Sequence, residues 1–510
     1  MKRHYLLTPF LFTLAYLLNT YYWIARIASP DQLFRPLLVL WMVIGLLLFP
    51  VYWLTRNLQL TSLVLSIFVF GFYFSESFFR VMSFIVLAAV AVWILYSRIR
   101  GFKVSLNHLF ILLNGIAASI IIFSLYLNIQ SFSLVPWLTY WASVEQTRQF
   151  SINGIPDPAT RPDIYYIILD GYPRSDILKE LYQYDNSQFI AYLENKGFII
   201  PDGIHSNYGM TAVSVSSTLN MEYLDSYSPG LENSHFWWLM VPFIDQSRTR
   251  TFLESQGYKY ISMSTWSMLD KPNATYHSRP FPLMLTDMER YLLGATPLGY
   301  LDPVLRNFAS IPTYDTHRKQ ITHFFTSFTE ISKIAGPKFV FAHVTVPHPP
   351  FVFDGNGNPL DPPVNFNMND AADFYGSDQE YKQGYIGQVE YTNAHMQMVL
   401  EEILKQSQTP PIILIQADHG SAMLTDFESA ENTCIQERFS PFAAYYLPGM
   451  LREVIPSDLT SVNLFRIILN QYFYTDLPLL ENRQYYYQGR LHIFRTVDVT
   501  SRVDDKCTVK

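Results

Sequence analysis

The stretch Pro411–Ser421, PIILIQADHGS, constrains the fold more than any other part of the chain. Ile412 to Ile415 is an unbroken, mostly β-branched apolar run, which suits a strand covered on both faces of a parallel sheet. The run leads at once into Asp418 and His419. Parallel α/β sheets place their chemistry beyond the carboxyl ends of the strands. There a carboxylate and an imidazole side by side can hold a divalent cation. Taken alone, Asp-His-Gly reads more readily as the start of a surface loop. It is not alone. Ile164 to Leu169, in RPDIYYIILDGYPRSD, is a second apolar run that ends in Asp170 and Gly171. Two strands about 250 residues apart in sequence can pair in one sheet and bring both acids to one edge.

A third element belongs with these two. In HSNYGMTAVSVSSTLNMEYL, residues 205–224, Thr211 lies where a loop turns into a helix, 41 residues after Asp170. The free amides and dipole at such a helix start favour an anion. A hydroxyl there, beside a metal, loses its proton more readily and can attack phosphorus. The segment by itself fits a helix cap just as well. Ser214, Ser216, Ser217 and Thr218 are rival hydroxyls, deeper in the helix.

An early strand ending in Asp-Gly and a late one ending in Asp-His-Gly resemble the alkaline phosphatase superfamily. Within it, residues 160–490 are similar to the sulfatase-like branch that includes lipoteichoic acid synthases and phosphoglycerol transferases. The resemblance implies an α/β domain whose mostly parallel sheet is sandwiched by helices. It implies Thr211 as nucleophile, since threonine holds that place in the synthase branch. It also implies a metal site of Asp170, Thr211, Asp418 and His419. Oxygen ligands suit manganese first, then magnesium, and the imidazole also allows zinc. Downstream of His419 the next histidine is His492, which favours one metal over the two of the phosphatases. Lys338–Val346 reads as a third strand and supplies His343, with His348 in the Pro-rich turn after it. Similar turns in the sulfatase-like branch touch the substrate anion or a second metal, and His348 and His343 are candidate substrate contacts by that resemblance. Arg438 either orients a phosphate or makes a surface ion pair.

The first 130 residues follow different rules. They carry nine Lys and Arg against Asp31 and Glu76, a net of +7, while the whole chain is −7. About 20 apolar residues span a bilayer as a helix, and five runs qualify: 6–25, 36–55, 59–78, 80–97 and 105–128. Glu76 and Arg80 sit in the tight turn between the third and fourth, which as a kink would reduce the count to four. With the N-terminus inside, inner segments carry Lys2, Arg3, Arg56, Arg98, Arg100 and Lys103, and outer turns carry Arg26, Arg35 and Arg80. Six against three favours that orientation. Five spans then place everything after residue 130 outside a cell membrane, the plan of the lipoteichoic acid synthases. The expected domains are a helical bundle at 1–130, a linker at 131–160 with Trp137, Tyr140 and Trp141 on the membrane surface, and an extracytoplasmic catalytic domain at 161–510.

The rest of the chain is less explicit. Residues 289–308 read as an amphipathic segment near lipid or as an ordinary helix of the domain. Residues 354–376, rich in Asp, Asn, Gly and Pro, read as an external loop, and DGNGNPLD lacks the closing Glu of a calcium loop. Gly384–Lys405 reads as a helix and Phe442–Leu447 as a strand. Cys434 and Cys507 are the only cysteines. They exclude a thiolate cluster, and nothing in the sequence fixes whether they are bonded.

The acidic globular part excludes nucleic acid by charge. A lipid or glycan phospho-donor and acceptor, with the bilayer as partner, fit the anchor. The leading reading is a transferase of a phospho-alcohol such as phosphoglycerol. An extracytoplasmic phosphatase, phosphodiesterase or sulfatase, and a non-catalytic membrane protein, are the alternatives. Sulfatases use a C/S-x-P-x-R motif, and Cys434 with Arg438 lacks its proline, having Gln436 instead.

Overall fold

A computed structural model describes residues 4–73, 106–151, 161–269, 274–277 and 279–507. By its contacts the chain divides into two compact units. One holds Met1–Leu134 with Phe281–Ile311, and the other holds Val135–Pro280 with Pro312–Lys510.

The second unit is an α/β domain. Strands β1 (Ile164–Leu169), β2 (Lys259–Ser264), β3 (Tyr276–His277), β4 (Lys338–Val344), β5 (Ile412–Gln416) and β6 (Ala443–Tyr446) form one sheet in the order β3-β2-β4-β1-β5-β6. All neighbours are parallel except β5 and β6. The two acid-tipped strands are direct partners at the centre, with Ile164 opposite Ile412 and Ile167 opposite Ile415. Every residue of β1, β4 and β5 is buried. That burial is the reason these runs are largely apolar and do not alternate.

Two cores cover the faces. One packs Tyr165, Ile167 and Ile413 against Phe324, Phe328, Val389, Met396 and Ile403. The other packs Tyr166, Ile168 and Leu414 against Val215, Phe252, Phe465 and Ile468. The helix expected over 384–405 begins earlier, at Asp378, and runs to Gln406. Ser377 and Glu380 form a capping box that fixes this start, a signal in the sequence that the apolar periodicity alone passes over. Residues 131–160, expected as a linker, contain the helix Trp137–Arg148. Tyr140 is fully buried and donates to the Leu239 carbonyl at 3.0 Å, so it does not lie on a membrane surface.

In the N-terminal part of the first unit the described α-helices are Thr8–Ile24, Phe34–Thr55, Leu58–Tyr73 and Asn107–Phe132. Among the described residues, Pro30–Thr55 and Asn107–Phe132 are long and apolar enough to cross a membrane by length and composition. Leu58–Tyr73 is apolar but shorter. The span expected at 80–97 and the turn at Glu76 and Arg80 lie outside the described residues. Polar side chains join the first and last of these helices. Thr8 Oγ1 lies 2.7 Å from Asn114 Oδ1, Asn114 Nδ2 donates to the His4 carbonyl, and Asn128 Nδ2 donates to the Leu18 carbonyl. Residues 281–311, expected within the α/β domain, pack with these helices instead.

Candidate active site

The carboxyl ends of β1 and β5 deliver Asp170 and the pair Asp418–His419 to one place, as the run-in of each strand requires. Gly171 turns the chain after β1 with φ +71°, a conformation that favours glycine. Its amide donates to Asp418 Oδ1 at 3.1 Å, which ties the two strand ends together. Gly420 follows His419 because a side chain there would overlap the Glu437 carbonyl.

The ring of His419 is fixed by its first nitrogen. Nδ1 lies 2.9 Å from the Gly420 carbonyl. A carbonyl only accepts, so Nδ1 carries the proton and Nε2 presents a lone pair. That Nε2 is 3.2 Å from Asp418 Oδ2, 3.7 Å from Asp170 Oδ1 and 3.2 Å from Thr211 Oγ1. Burial, and then the Arg438 guanidinium, hold the His419 imidazole below its ordinary pKa, which keeps it neutral. Burial alone would raise the Asp170 carboxyl. The imidazoles of His348, His343 and His419 outweigh that effect and hold it well below the usual carboxylate range.

These residues fit a metal cation. Ligand atoms of Asp170, Asp418 and His419 lie within 4.8 Å of one another. Asp170 Oδ1 and Asp418 Oδ2 are buried and have no hydrogen-bond partner, an arrangement that is costly unless a cation meets them. The fixed tautomer of His419 is what a metal-ligating imidazole needs from its other nitrogen.

Thr211 is the first residue of the helix Thr211–Asn220. It is half-buried, whereas Ala212 to Asn220 are all buried. The rival hydroxyls are occupied elsewhere. Ser214 donates to the Asp418 carbonyl at 2.6 Å, Ser217 to the Glu222 carbonyl at 2.7 Å and Thr218 to the Ser214 carbonyl at 2.9 Å, while Ser216 pairs with Tyr227. Met210 holds the cap position and contributes no side-chain cap.

Three further candidates surround this group. His343 is fully buried, and its Nε2 is 3.5 Å from Asp170 Oδ2, so it orients that carboxylate from within the protein. His348 donates through Nδ1 to the Pro349 carbonyl, and its Nε2 lies 3.4 Å from Asp370 Oδ2. Burial works against a charge on His348, but Asp170 and Asp370 outweigh it and raise its pKa. Arg438 makes no surface ion pair. It is buried, with Nε donating to the Gly209 carbonyl at 2.8 Å, Nη1 to the Gly420 carbonyl at 3.3 Å and Nη2 3.2 Å from His419 Nε2. The short helix that carries it, Ile435–Phe439, starts at Cys434, whose sulfur accepts the Glu437 amide. Cys434 is bonded to Cys507, with Cα atoms 5.4 Å apart. Glu437 braces the same wall by accepting from Ser421, Met423 and Leu424.

Asp370 is the residue that sequence reasoning missed. It sits in the stretch read as an external loop, yet it is buried and accepts from Tyr381 as well as facing His348. Composition marks the segment as loop, and no local signal separates Asp370 from the other acids there.

A parallel sheet with a metal-competent acid-and-histidine edge, and a hydroxyl at a helix start beside it, defines an α/β enzyme built for displacement at an anionic ester. A model of the Sulfatase family matches residues 162–465, and the chain belongs to that family, within the alkaline phosphatase and sulfatase-like superfamily. It is therefore an enzyme acting on phosphate or sulfate esters, and the family is metal-dependent. No curated protein matches the sequence. Solved structures with similar folds include the C-terminal periplasmic domain of EcEptC from Escherichia coli, at 12% identity, covering 68% of this chain and 95% of that one, with a TM-score of 0.45. The C-terminal periplasmic domain of the phosphoethanolamine transferase EptC from Campylobacter jejuni is similar at 13% identity, covering 63% and 92%, with a TM-score of 0.37. A 2-O GAG sulfatase is similar at 12% identity, covering 62% and 72%, with a TM-score of 0.37.

Proposed function

We propose that this protein is a membrane-anchored transferase that moves a phospho-alcohol group, such as phosphoglycerol, through Thr211 to a cell-envelope acceptor. The observation that carries the reading is the Thr211 hydroxyl. It is half-buried at the start of its helix, 3.2 Å from the neutral face of His419, while each rival hydroxyl is buried and engaged. Asp170, Asp418, His419 and Thr211 would hold one divalent cation, manganese by preference, with magnesium and zinc compatible. When bound, the cation lowers the pKa of an adjacent hydroxyl and shields charge on the phosphoryl oxygens.

The chain's own residues do the rest. Thr211 Oγ1 forms a bond to phosphorus, and the bond to the donor's alcohol breaks. The group then rests on Thr211 as a phosphodiester until an acceptor hydroxyl displaces it, which restores the threonine. Arg438, whose fork is fixed by the Gly209 and Gly420 carbonyls, holds phosphoryl oxygens against His419. His348, kept protonated by Asp170 and Asp370, supplies a second positive contact to the anion. His343 keeps the Asp170 carboxylate aimed into the site.

Membrane placement has its own support. The helices Thr8–Ile24 and Asn107–Phe132 run parallel, since residues 4 and 8 meet 114, residue 18 meets 128 and the rings of Tyr21 and Phe132 stack. With Thr8–Ile24 and Asn107–Phe132 taken as first and last spans, a parallel pair fits an odd number of crossings, as five would give, and an N-terminus inside would then leave the rest of the chain outside. Sulfate chemistry by the formylglycine route is disfavoured, because Cys434 is consumed in a disulfide and Gln436 replaces the proline.

The test incubates the detergent-solubilised protein, loaded with manganese, with labelled phosphatidylglycerol, nitrophenyl phosphate and nitrophenyl sulfate. Release of diacylglycerol, with a mass adduct trapped on the Thr211 peptide after denaturation, is expected. Hydrolysis of the simple esters without an adduct overturns the transferase reading, and a sulfate-only activity overturns phosphoryl chemistry.

A further inference from the structure

The segment Phe281–Ile311 interrupts the α/β domain in sequence, and its contacts belong with the apolar helices. It is a small closed insert. The Leu283 amide donates to the Phe308 carbonyl at 2.9 Å, and the Ser310 amide returns to the Leu283 carbonyl at 3.0 Å. Inside, Leu285, Ala309 and Ile311 form a core with Leu293 and Leu305 packed on it. A capping box at Thr286 and Glu289 starts its longer helix, Asp287–Ala295.

The outside of the insert is the anomaly. Tyr300, Leu301, Val304 and Phe308 are 78%, 45%, 66% and 61% exposed. They lie close together in sequence, on the 3-10 turn Pro297–Leu301, the short helix Asp302–Leu305 and the turn that follows it. Such a cluster on a small insert marks an interaction surface more than a solvated face.

The attachment point says what covers it. The carboxylate of Glu289 pairs with the guanidinium of Arg35, Arg35 Nη2 donates to the Met284 carbonyl at 3.0 Å, and the Met288 amide donates to Gln32 Oε1 at 3.1 Å. Gln32 and Arg35 begin the span Pro30–Thr55, whose apolar side chains Phe34, Leu38, Met42, Leu46 and Phe49 are themselves exposed along its length. The connection from Ile24 to Pro30 and the end of Asn107–Phe132 lie at the same end of the helical unit, because the two helices run parallel. The insert therefore sits at the end from which the chain leaves for the catalytic domain.

We infer that Phe281–Ile311 is an interfacial element. Tyr300, Leu301, Val304 and Phe308 enter the headgroup and acyl boundary of the outer leaflet, and Arg35 with Glu289 fixes the insert to the top of the span. Tyrosines at this level suit the aromatic belt of a bilayer, and a helix-and-turn of this kind needs no span of its own to bind lipid. The inference rests on the membrane-anchored reading above, and the experiment separates the two.

The wild-type chain has no cysteine beyond the bonded pair, so single cysteines take a nitroxide label cleanly. Labels go on Tyr300→Cys, Val304→Cys, Phe308→Cys and, as a span marker, Leu46→Cys. The full chain is reconstituted in vesicles of phosphatidylglycerol and phosphatidylethanolamine. Power saturation compares collision with oxygen, which concentrates in lipid, against a water-soluble nickel chelate. Oxygen exceeding the chelate several-fold at 300, 304 and 308, with position 46 deeper, is expected. If 300, 304 and 308 favour the chelate while 46 favours oxygen, the interfacial element is wrong and the anchor stands. If 46 also favours the chelate, the membrane-anchored reading fails, and the inference with it. Protection from both reagents at 300–308 means that protein covers the face, which also overturns the inference.

Discussion

Replacing Thr211 by alanine separates a nucleophile from a structural hydroxyl. A capping threonine would cost about 1 kcal/mol of stability when removed. Thr211 is not in the cap position, which Met210 holds without a side-chain bond. Its recorded side-chain partner is His419 Nε2 at 3.2 Å. Losing that hydrogen bond costs about 0.5–1.5 kcal/mol, and alanine returns up to ~0.7 kcal/mol of helix propensity. The net change is thus within about 1 kcal/mol, a melting shift of at most about 1–2 °C for a domain of this size. Activity responds on another scale. Ser214, Ser216, Ser217 and Thr218 are buried and engaged, so none can take over. A loss of at least about 1,000-fold in kcat, or about 4 kcal/mol of barrier, is expected. Asp170, Asp418 and His419 persist, so manganese binding by calorimetry weakens but survives, whereas Asp418→Asn loses metal and activity together. Thr211→Ser keeps a nucleophilic oxygen and retains a measurable fraction of turnover. The reasoning is refuted if Thr211→Ala keeps more than about a tenth of wild-type kcat with its fold intact.

Two other perturbations test the walls of the site. Asp370→Asn removes one of the two carboxylates that raise His348 against burial. Because the folded pKa lies above 6.5, the charged form and its stabilisation are complete below that value and are lost as pH rises through the folded pKa. The variant should therefore shift the alkaline limb of kcat/KM to lower pH, and an unmoved limb rejects the pairing. Replacing Cys434 and Cys507 by alanine opens a loop of 73 residues. The chain-entropy model assigns that closure about 4 kcal/mol, so the denaturant midpoint of the catalytic domain should fall and become insensitive to reductant. An unchanged midpoint would show that the bond does not constrain the unfolded chain.

The sheet was readable because its central strands are buried on both faces. Ile164–Leu169 and Ile412–Ile415 could be recognised without periodicity, since no position along them faces water. The edge strand Tyr276–His277 and the pair Tyr485–Tyr487 with Thr496–Asp498 carry no such run. At two or three residues each they are too short to make a pattern. The insert at 281–311 escaped for another reason. Its apolar residues were visible, but both readings, helix of the domain and segment near lipid, produce the same string. Only the partners of Glu289 and Met288, more than 250 residues away in sequence, show that the segment packs with the N-terminal helices.

The site divides the same way. Asp170, Asp418 and His419 were legible because strand ends are local features and a parallel sheet converts them into neighbours. Thr211 was legible as a helix start, and the resemblance preferred it to Ser214, whose hydroxyl turns to the Asp418 carbonyl. Arg438 read equally well as a surface ion pair. Its burial follows from a tertiary fact, that the Gly209 and Gly420 carbonyls both point at it. Asp370 had no local signature, and its importance depends on Tyr381 and His348 closing on it from either side in sequence. Residues that a strand or helix end aims can be inferred from the chain. Residues that act by bracing another side chain need the fold, and in this enzyme they are the ones that decide how His348 and Asp170 hold their charge.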